Sequence, residues 1–172
     1  MRMLISALVM FVIIMVVLAF AREHLRPAQE ADLRLTELTA ETPREELEDR
    51  LEKVEFECTD DETGLETGER VCFAPVSRAD DYAADYLALF FDSDNALAAV
   101  NVVLDPAEHD ANHERLREAL GEPDRRIEDA FTWLVWDRDE HLILTQEEVP
   151  DAEAPTLMWF RNADFMERLL PR

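Results

Sequence analysis

His109 and His113 are the residue pair in this sequence whose spacing comes closest to that of a metal site. Four residues apart on a helix, their imidazoles would share one face, and two imidazoles placed in this way are able to bind zinc. Asp105 and Glu108 lie nearby, but they do not complete the HExxH pattern of zinc enzymes. Leu116 continues the same helical face. We therefore interpret the pair as the flank of a buried stripe, with a metal-dependent enzyme as the alternative.

Other catalytic chemistries find little support in the sequence. Outside the apolar stretch at the amino terminus the serines are Ser77 and Ser93, and neither stands in a GxSxG elbow. The chain has 3 glycines, too few for a phosphate-binding loop, which needs clustered glycines to bring backbone N–H groups together. Carboxylate pairs are unspecific among 40 acidic residues. We expect neither an enzyme nor a cofactor.

Cys58 and Cys72 are the two cysteines of the chain. The segment between them, residues 59–71, holds Gly64 and Gly68 among polar residues and is typical of a loop between two short strands. In an exported small domain an even cysteine count favours a disulfide, and closing a loop of this size contributes about 3 kcal/mol in the chain-entropy model. Two unpaired cysteines in a cytosolic domain are the alternative. A zinc site is not indicated, since no CxxC spacing is present.

Met3–Ala21 is an apolar stretch interrupted only by Ser6. Its length is close to the roughly 20 residues that a helix needs to cross a bilayer core about 30 Å thick. We predict a single-pass inner-membrane anchor that keeps the chain at the membrane through residues 3–21. A cleaved signal peptide is the alternative, because Ala19 and Ala21 supply the small residues of a cleavage site. In that case the protein is secreted or periplasmic after cleavage near Ala21.

The side of the membrane on which the domain lies is predicted from the cysteines rather than from the flanking charges. Arg2 precedes the apolar stretch and Arg22 and Arg26 follow it, so the positive-inside rule is nearly balanced. Disulfides persist in oxidising compartments, which include the bacterial periplasm. We therefore expect the domain to face the periplasm.

Acidic residues dominate the composition, with 40 Asp and Glu against 17 Lys and Arg and a net charge of −23. Such a surface repels nucleic acid and anionic lipid, so no nucleic-acid partner is expected. Its general effect is to keep the surface hydrated, and its functional interpretation is attraction of a basic partner. We divide the chain into an anchor or signal (residues 1–22), a juxtamembrane linker or helix (23–41) and an acidic α+β extracytoplasmic domain (42–172).

The same pattern marks two helix starts. Thr42-Pro43 and Asp105-Pro106 each place a capping residue before a proline, and Gly121 is expected to end the second helix. Strands are predicted at residues 54–58, 71–75, 86–91, 97–104, 131–136, 141–145 and 156–160, followed by a short helix capped by Asn162. This order predicts an α+β fold with helices packed on an antiparallel sheet, and the matched helix starts indicate two α-β-β-β units.

Trp133, Trp136 and Trp159 lie in two predicted strands that are apolar on both faces. If helices cover one face of the sheet, the other face needs a second layer or a partner. Central core strands are one interpretation. An interaction surface built from the three tryptophans is the other, because aromatic side chains are favoured as interface anchors.

The sequence resembles a group of small exported bacterial proteins. The resemblance covers residues 42–170 and is carried by these residues: Thr42-Pro43, Leu47, Leu51, Phe56-Glu57-Cys58, Cys72 and Leu120-Gly121-Glu122-Pro123-Asp124. The group comprises domains of the outer-membrane-assembly lipoprotein and β-lactamase-inhibitory-protein type, in which helices lie on one face of an antiparallel sheet. Its lipoproteins carry a cysteine after the signal region, whereas Ala19-Phe20-Ala21-Arg22 has none. The resemblance implies a binding or scaffolding role.

These observations together predict a membrane-tethered, periplasm-facing binding or scaffolding protein of the bacterial envelope, with a protein partner there. An exported inhibitor or ligand-binding protein is the alternative. The sequence leaves the oligomeric state and the identity of the partner open.

Overall fold

The computed structural model describes residues 29–60, 70–128, 131–138, 141–149 and 154–163. Two predicted elements lie outside these ranges: the apolar stretch Met3–Ala21 and the helix after Asn162. In the described part of the chain, no helix combines the length and the apolar character that crossing a membrane requires.

Strands are the commonest regular element of the described chain, because runs of alternating and β-branched apolar residues favour a pleated, half-buried backbone. The strands are β1 (Glu30–Ala31), β2 (Glu57–Asp60), β3 (Arg70–Pro75), β4 (Arg78–Ala79), β5 (Tyr82–Phe91), β6 (Leu97–Leu104), β7 (Arg125–Glu128), β8 (Thr132–Arg138), β9 (His141–Gln146) and β10 (Thr156–Phe160). The helices are α1 (Arg44–Arg50) and α2 (His109–Leu120), and a 3₁₀ turn, Pro106–Glu108, leads into α2.

The strands form one sheet in which the order β2-β3-β5-β6-β10-β9-β8-β7 is antiparallel throughout. Each half of this order consists of four strands that follow one helix, and the last strand of each half, β6 or β10, joins the two halves. The prediction of an α+β fold is confirmed. The units differ from the predicted α-β-β-β pattern, since each contributes four strands to this order. Two further strands of two residues each extend the sheet beside β5. β4 pairs with β5, and β1 pairs with β4 in parallel.

One face of the sheet carries the larger core. Leu47 and Leu51 of the α1 region and Leu116 of α2 pack in the same cluster as Trp136 and Trp159 of the sheet. Both helices therefore contribute to one apolar layer, as expected for helices that bury a narrow stripe. This layer joins the two α-β units into one domain.

Residues 29–40 belong to this core, although the sequence indicated a juxtamembrane linker or helix there. Leu33, Leu35 and Leu38 are at most 1% exposed. The Asp80 carboxylate accepts hydrogen bonds from the backbone N–H groups of Leu33, Arg34 and Leu35, at 2.7–2.8 Å. These bonds satisfy the backbone without a regular helix or strand. The folded domain therefore includes the described residues that precede residue 42.

The two predicted helix starts have different outcomes. Asp105 Oδ1 accepts a hydrogen bond from the N–H of Ala107 (2.9 Å), so this cap is confirmed, and Gly121 ends α2 with φ at +81°. Thr42 does not cap α1. Its hydroxyl instead accepts from the N–H of Thr39 (3.0 Å), and Pro43 occupies the cap position without a side-chain bond.

Candidate functional site

The structure brings His109 and His113 together on α2, with ring centroids 4.2 Å apart. Both side chains are buried. Nε2 of His109 lies 3.1 Å from the carbonyl oxygen of Glu147, and Nε2 of His113 lies 2.8 Å from that of Gln146. A carbonyl accepts a hydrogen bond, so both rings carry their proton on Nε2 when they are neutral. The pair anchors α2 to the end of β9.

This environment favours a neutral imidazole at His113. Burial lowers the pKa of His113, and the neighbouring His109 lowers it further. Among the residues that the structure describes, no group of three or more His, Cys, Asp or Glu side chains is arranged to hold a metal ion. His109 and His113 were the weak metal candidate. In each ring the Nε2 nitrogen is already engaged by a backbone carbonyl.

The three tryptophans do not form an exposed surface. Trp136 and Trp159 are fully buried on the helix-covered face of the sheet, and Trp133 is 7% exposed on the opposite face. The indole N–H of Trp136 donates to the Gly121 carbonyl (2.8 Å), and that of Trp159 donates to the Leu38 carbonyl (3.1 Å). Packing within the chain buries all three side chains, which favours the interpretation of these strands as core over that of an interaction surface.

Cys58 and Cys72 form a disulfide that links directly opposed residues of β2 and β3. A pocket of about 200 Å³ lies beside it, between α1 and the sheet. We call it the disulfide pocket, and its apolar wall consists of Leu47, Leu51, Phe56, Leu89, Phe91 and the disulfide itself.

Two arginines and one glutamate complete the lining of the disulfide pocket. Arg44 donates from Nε to Glu48 Oε1 (2.6 Å), and its guanidinium carbon lies 5.6 Å from the centre of the Phe91 ring. Arg70 has a buried Nε–H with no hydrogen-bond partner among the described residues. Arg70 was not among the residues predicted from the sequence. The available signal was its spacing of two from Cys72, which puts both side chains on one face of β3.

A larger concavity, which we call the polar cleft, has a volume of about 1010 Å³. The segment around residues 30–37, the α1 region, α2 and the turn between β4 and β5 line it. In the part of the chain that the structure describes, its walls hold eight acidic residues (Glu30, Asp32, Glu37, Asp49, Glu52, Asp80, Asp81 and Glu118) and four basic residues (Arg34, Arg50, Lys53 and Arg115).

Hydrogen bonds to Asp80 fix the wall of the polar cleft. Asp80, in the left-handed conformation at φ +52°, holds the backbone of Leu33, Arg34 and Leu35, as described above. Burial raises the pKa of Asp80 above its usual range, although the three backbone bonds oppose this effect. Burial and the Asp80 charge raise the pKa of Tyr82 to about 12. Hydrogen bonds within the chain therefore hold these groups of the cleft wall in place.

Comparison with known proteins identifies a partial likeness. A solved structure of a DUF4309 family protein (YjgB) from Bacillus subtilis is similar with a TM-score of 0.34 and 14% identity, over 45% of this chain and 57% of that one. The chain therefore spans little more than half of that protein's length, and a TM-score of this size is too low to relate the folds. No family model and no curated protein matches the sequence.

Proposed function

We propose that this chain is a non-enzymatic binding protein of the bacterial envelope, tethered to the membrane by residues 3–21, with its acidic domain in the periplasm. The observation that carries the proposal is the preformed polar cleft. The length and apolar character of residues 3–21 support the tether. The disulfide between Cys58 and Cys72 supports an oxidising compartment.

The size and the charged walls of the cleft favour a protein segment as its occupant. Small-molecule pockets are mostly apolar and typically measure about 300–1,000 Å³. The polar cleft lies at the upper end of this range, and charged side chains dominate its walls. A polar loop or peptide of a partner protein suits such walls better than an apolar ligand does, because each charged group then finds a counter-charge.

The charge of the cleft favours a basic partner. Carboxylates outnumber cations two to one in the cleft walls, a ratio close to that of the whole chain. The net charge of −23 therefore accelerates encounter with any basic partner, while the geometry fixed by Asp80 determines where the partner docks.

Co-isolation of a partner tests this function. The full chain is purified from detergent-solubilised membranes beside the double variant Glu37→Arg/Glu118→Arg, which reverses two exposed charges in the cleft. A matched control, Asp94→Arg/Glu128→Arg, makes the same change of net charge outside the cleft. Asp94 lies in the β5–β6 turn, about 30 Å along β5 from the cleft residue Tyr82.

The proposal predicts a stoichiometric envelope protein with the wild type and the control, and its loss with the cleft variant. Equal recovery with both variants would contradict docking in the cleft. Repeated failure to recover any partner with the wild type would contradict the binding function itself.

A second candidate function, binding of a small ligand, is favoured by one observation: the disulfide pocket has a largely apolar wall and is distinct from the cleft. It corresponds to the ligand-binding alternative drawn from the sequence.

A further inference from the structure

The disulfide pocket has room for a small apolar group. Its volume is about 200 Å³. An engineered cavity of about 150 Å³ that is lined by aliphatic and aromatic side chains excludes water and binds benzene. Leucines, phenylalanines and a disulfide line most of the wall here, so the pocket suits one ring or a short acyl chain.

Arg70 supplies a cationic side chain to the lining of this pocket. Its Nε–H is enclosed by the protein and has no acceptor in the described part of the chain, so no described carboxylate pairs with the guanidinium through this atom. A guanidinium is a fork of N–H donors that matches a carboxylate, so the ligand that it favours is an anion.

The charged residues that line the pocket also favour an anion as its ligand. The chain as a whole has 40 acidic and 17 basic residues, yet among the described residues the disulfide pocket is lined by two arginines and a single carboxylate. That carboxylate, Glu48, is already bonded to Arg44. The pocket is therefore a locally cationic site on a strongly acidic protein, and it attracts an anion that the rest of the surface repels.

We propose that the disulfide pocket binds a small apolar carboxylic acid as its anion. The apolar body of the ligand lies between α1 and β3–β5, against Leu47 and Leu89, and its carboxylate lies against the guanidinium of Arg70. Arg44, whose partly exposed side chain lies beside Phe91, is paired with Glu48, so Arg70 is the cation that remains for the ligand. This site goes beyond the proposed partner-binding function and does not depend on the polar cleft.

Isothermal titration calorimetry of the purified full chain in detergent tests this site, with empty micelles as the reference. Benzoate and hexanoate are the probes. Benzylamine and benzyl alcohol keep the ring of benzoate but replace the anion with a cation or a neutral group. Saturable binding is expected for benzoate or hexanoate, with benzylamine showing none.

Two pocket variants and a matched control locate the binding. Arg70→Met keeps an unbranched side chain but removes the donor, and the loss of a charge-assisted hydrogen bond is expected to weaken binding about tenfold. Arg78→Met is the matched control, because Arg78 is an exposed arginine on β4 outside the pocket, and it is expected to leave binding unchanged. Leu47→Phe fills the pocket and is expected to abolish binding; if this variant fails to fold, the comparison of Arg70→Met with Arg78→Met still decides.

Three outcomes would overturn the assignment: no saturable binding of benzoate or hexanoate, equal binding of benzoate and benzylamine, or equal affinities in Arg70→Met and wild type. None of these outcomes bears on the polar cleft, whose test uses a protein partner and other variants.

Discussion

Removing the disulfide is expected to destabilise the domain by an amount that follows from its position in the chain. Cys58 lies on the exposed edge strand β2, which pairs only with β3 among the described strands. Cys72 is 7% exposed and belongs to the larger core. The cross-link therefore fastens the edge of the sheet to the core, and the perturbation is the double variant Cys58→Ala/Cys72→Ala.

The magnitude is set by the loop that the cross-link closes. The two cysteines are separated by 14 positions. In the chain-entropy model a loop of about 15 residues corresponds to about 3 kcal/mol of unfolding free energy at 25 °C. For a domain of this size, each kcal/mol shifts the melting temperature by about 2–4 °C, so the expected decrease is about 6–12 °C.

Urea unfolding of the full chain, followed by tryptophan fluorescence, measures this loss, because Trp136 and Trp159 are buried in the folded state. Dithiothreitol is the control. It removes the cross-link from the wild type without changing side-chain packing elsewhere, and it has no disulfide to act on in the double variant. Wild type with reductant should therefore approach the stability of the variant. A loss below about 1 kcal/mol in both cases would show that the β2–β3 ladder, and not loop closure, holds this edge.

Three further predictions concern the core and the buried histidines. Leu35→Ala is expected to lower the unfolding free energy by about 2–5 kcal/mol in chemical denaturation, whereas the exposed neighbour Glu37→Ala changes it by less than about 0.5 kcal/mol. Equal effects of Leu35→Ala and Glu37→Ala would show that residues 29–40 form a linker and not part of the core. Burial lowers the pKa of His113 and of His141, so the unfolded chain binds more protons than the folded one below the ordinary pKa of 6.5. Stability should therefore fall as the pH drops through 6.5, and a flat thermal-melting profile between pH 7 and 5 would contradict this sign. His141→Phe is expected to stabilise the domain by about 1 kcal/mol and to weaken its pH dependence, because both ring nitrogens of His141 lack a described partner where the ring stacks on Trp159; a destabilised variant with an unchanged pH profile would argue against it.

Local patterns predicted the parts of the fold that local physics determines. The bounds of β6 and β10 match the prediction because each strand is a short, nearly continuous apolar run between polar or turn residues. In the turn between β5 and β6, Asp92 Oδ1 accepts from the N–H groups of Asp94 and Ala96, a pattern typical of an aspartate at this position.

The elements that were missed depend on distant contacts. β7 is a polar edge strand, Arg125–Glu128, with no apolar alternation, and its pairing with β8 defines it. The backbone of residues 33–35 is held by Asp80, 45–47 positions away, and sequence periodicity carries no trace of that contact.

The same distinction applies to the sites. The spacing of His109 and His113 predicted that the two rings share a face, and the structure places them together. The carbonyls of Gln146 and Glu147 that engage these rings come from another element, as do the groups around Arg70 and Asp80. Neither candidate binding site could therefore be predicted from the sequence, because each is lined by segments that only the tertiary fold brings together.

Site-specific photo-crosslinking in intact cells tests the central proposal most directly. A photoreactive amino acid replaces Glu37 or Glu118 in the polar cleft, and Asp94 in the β5–β6 turn provides the control position. A binding function in the cleft predicts one discrete protein adduct from each cleft position and none from the control. Absence of adducts at both cleft positions, or the same adducts from Asp94, would contradict it.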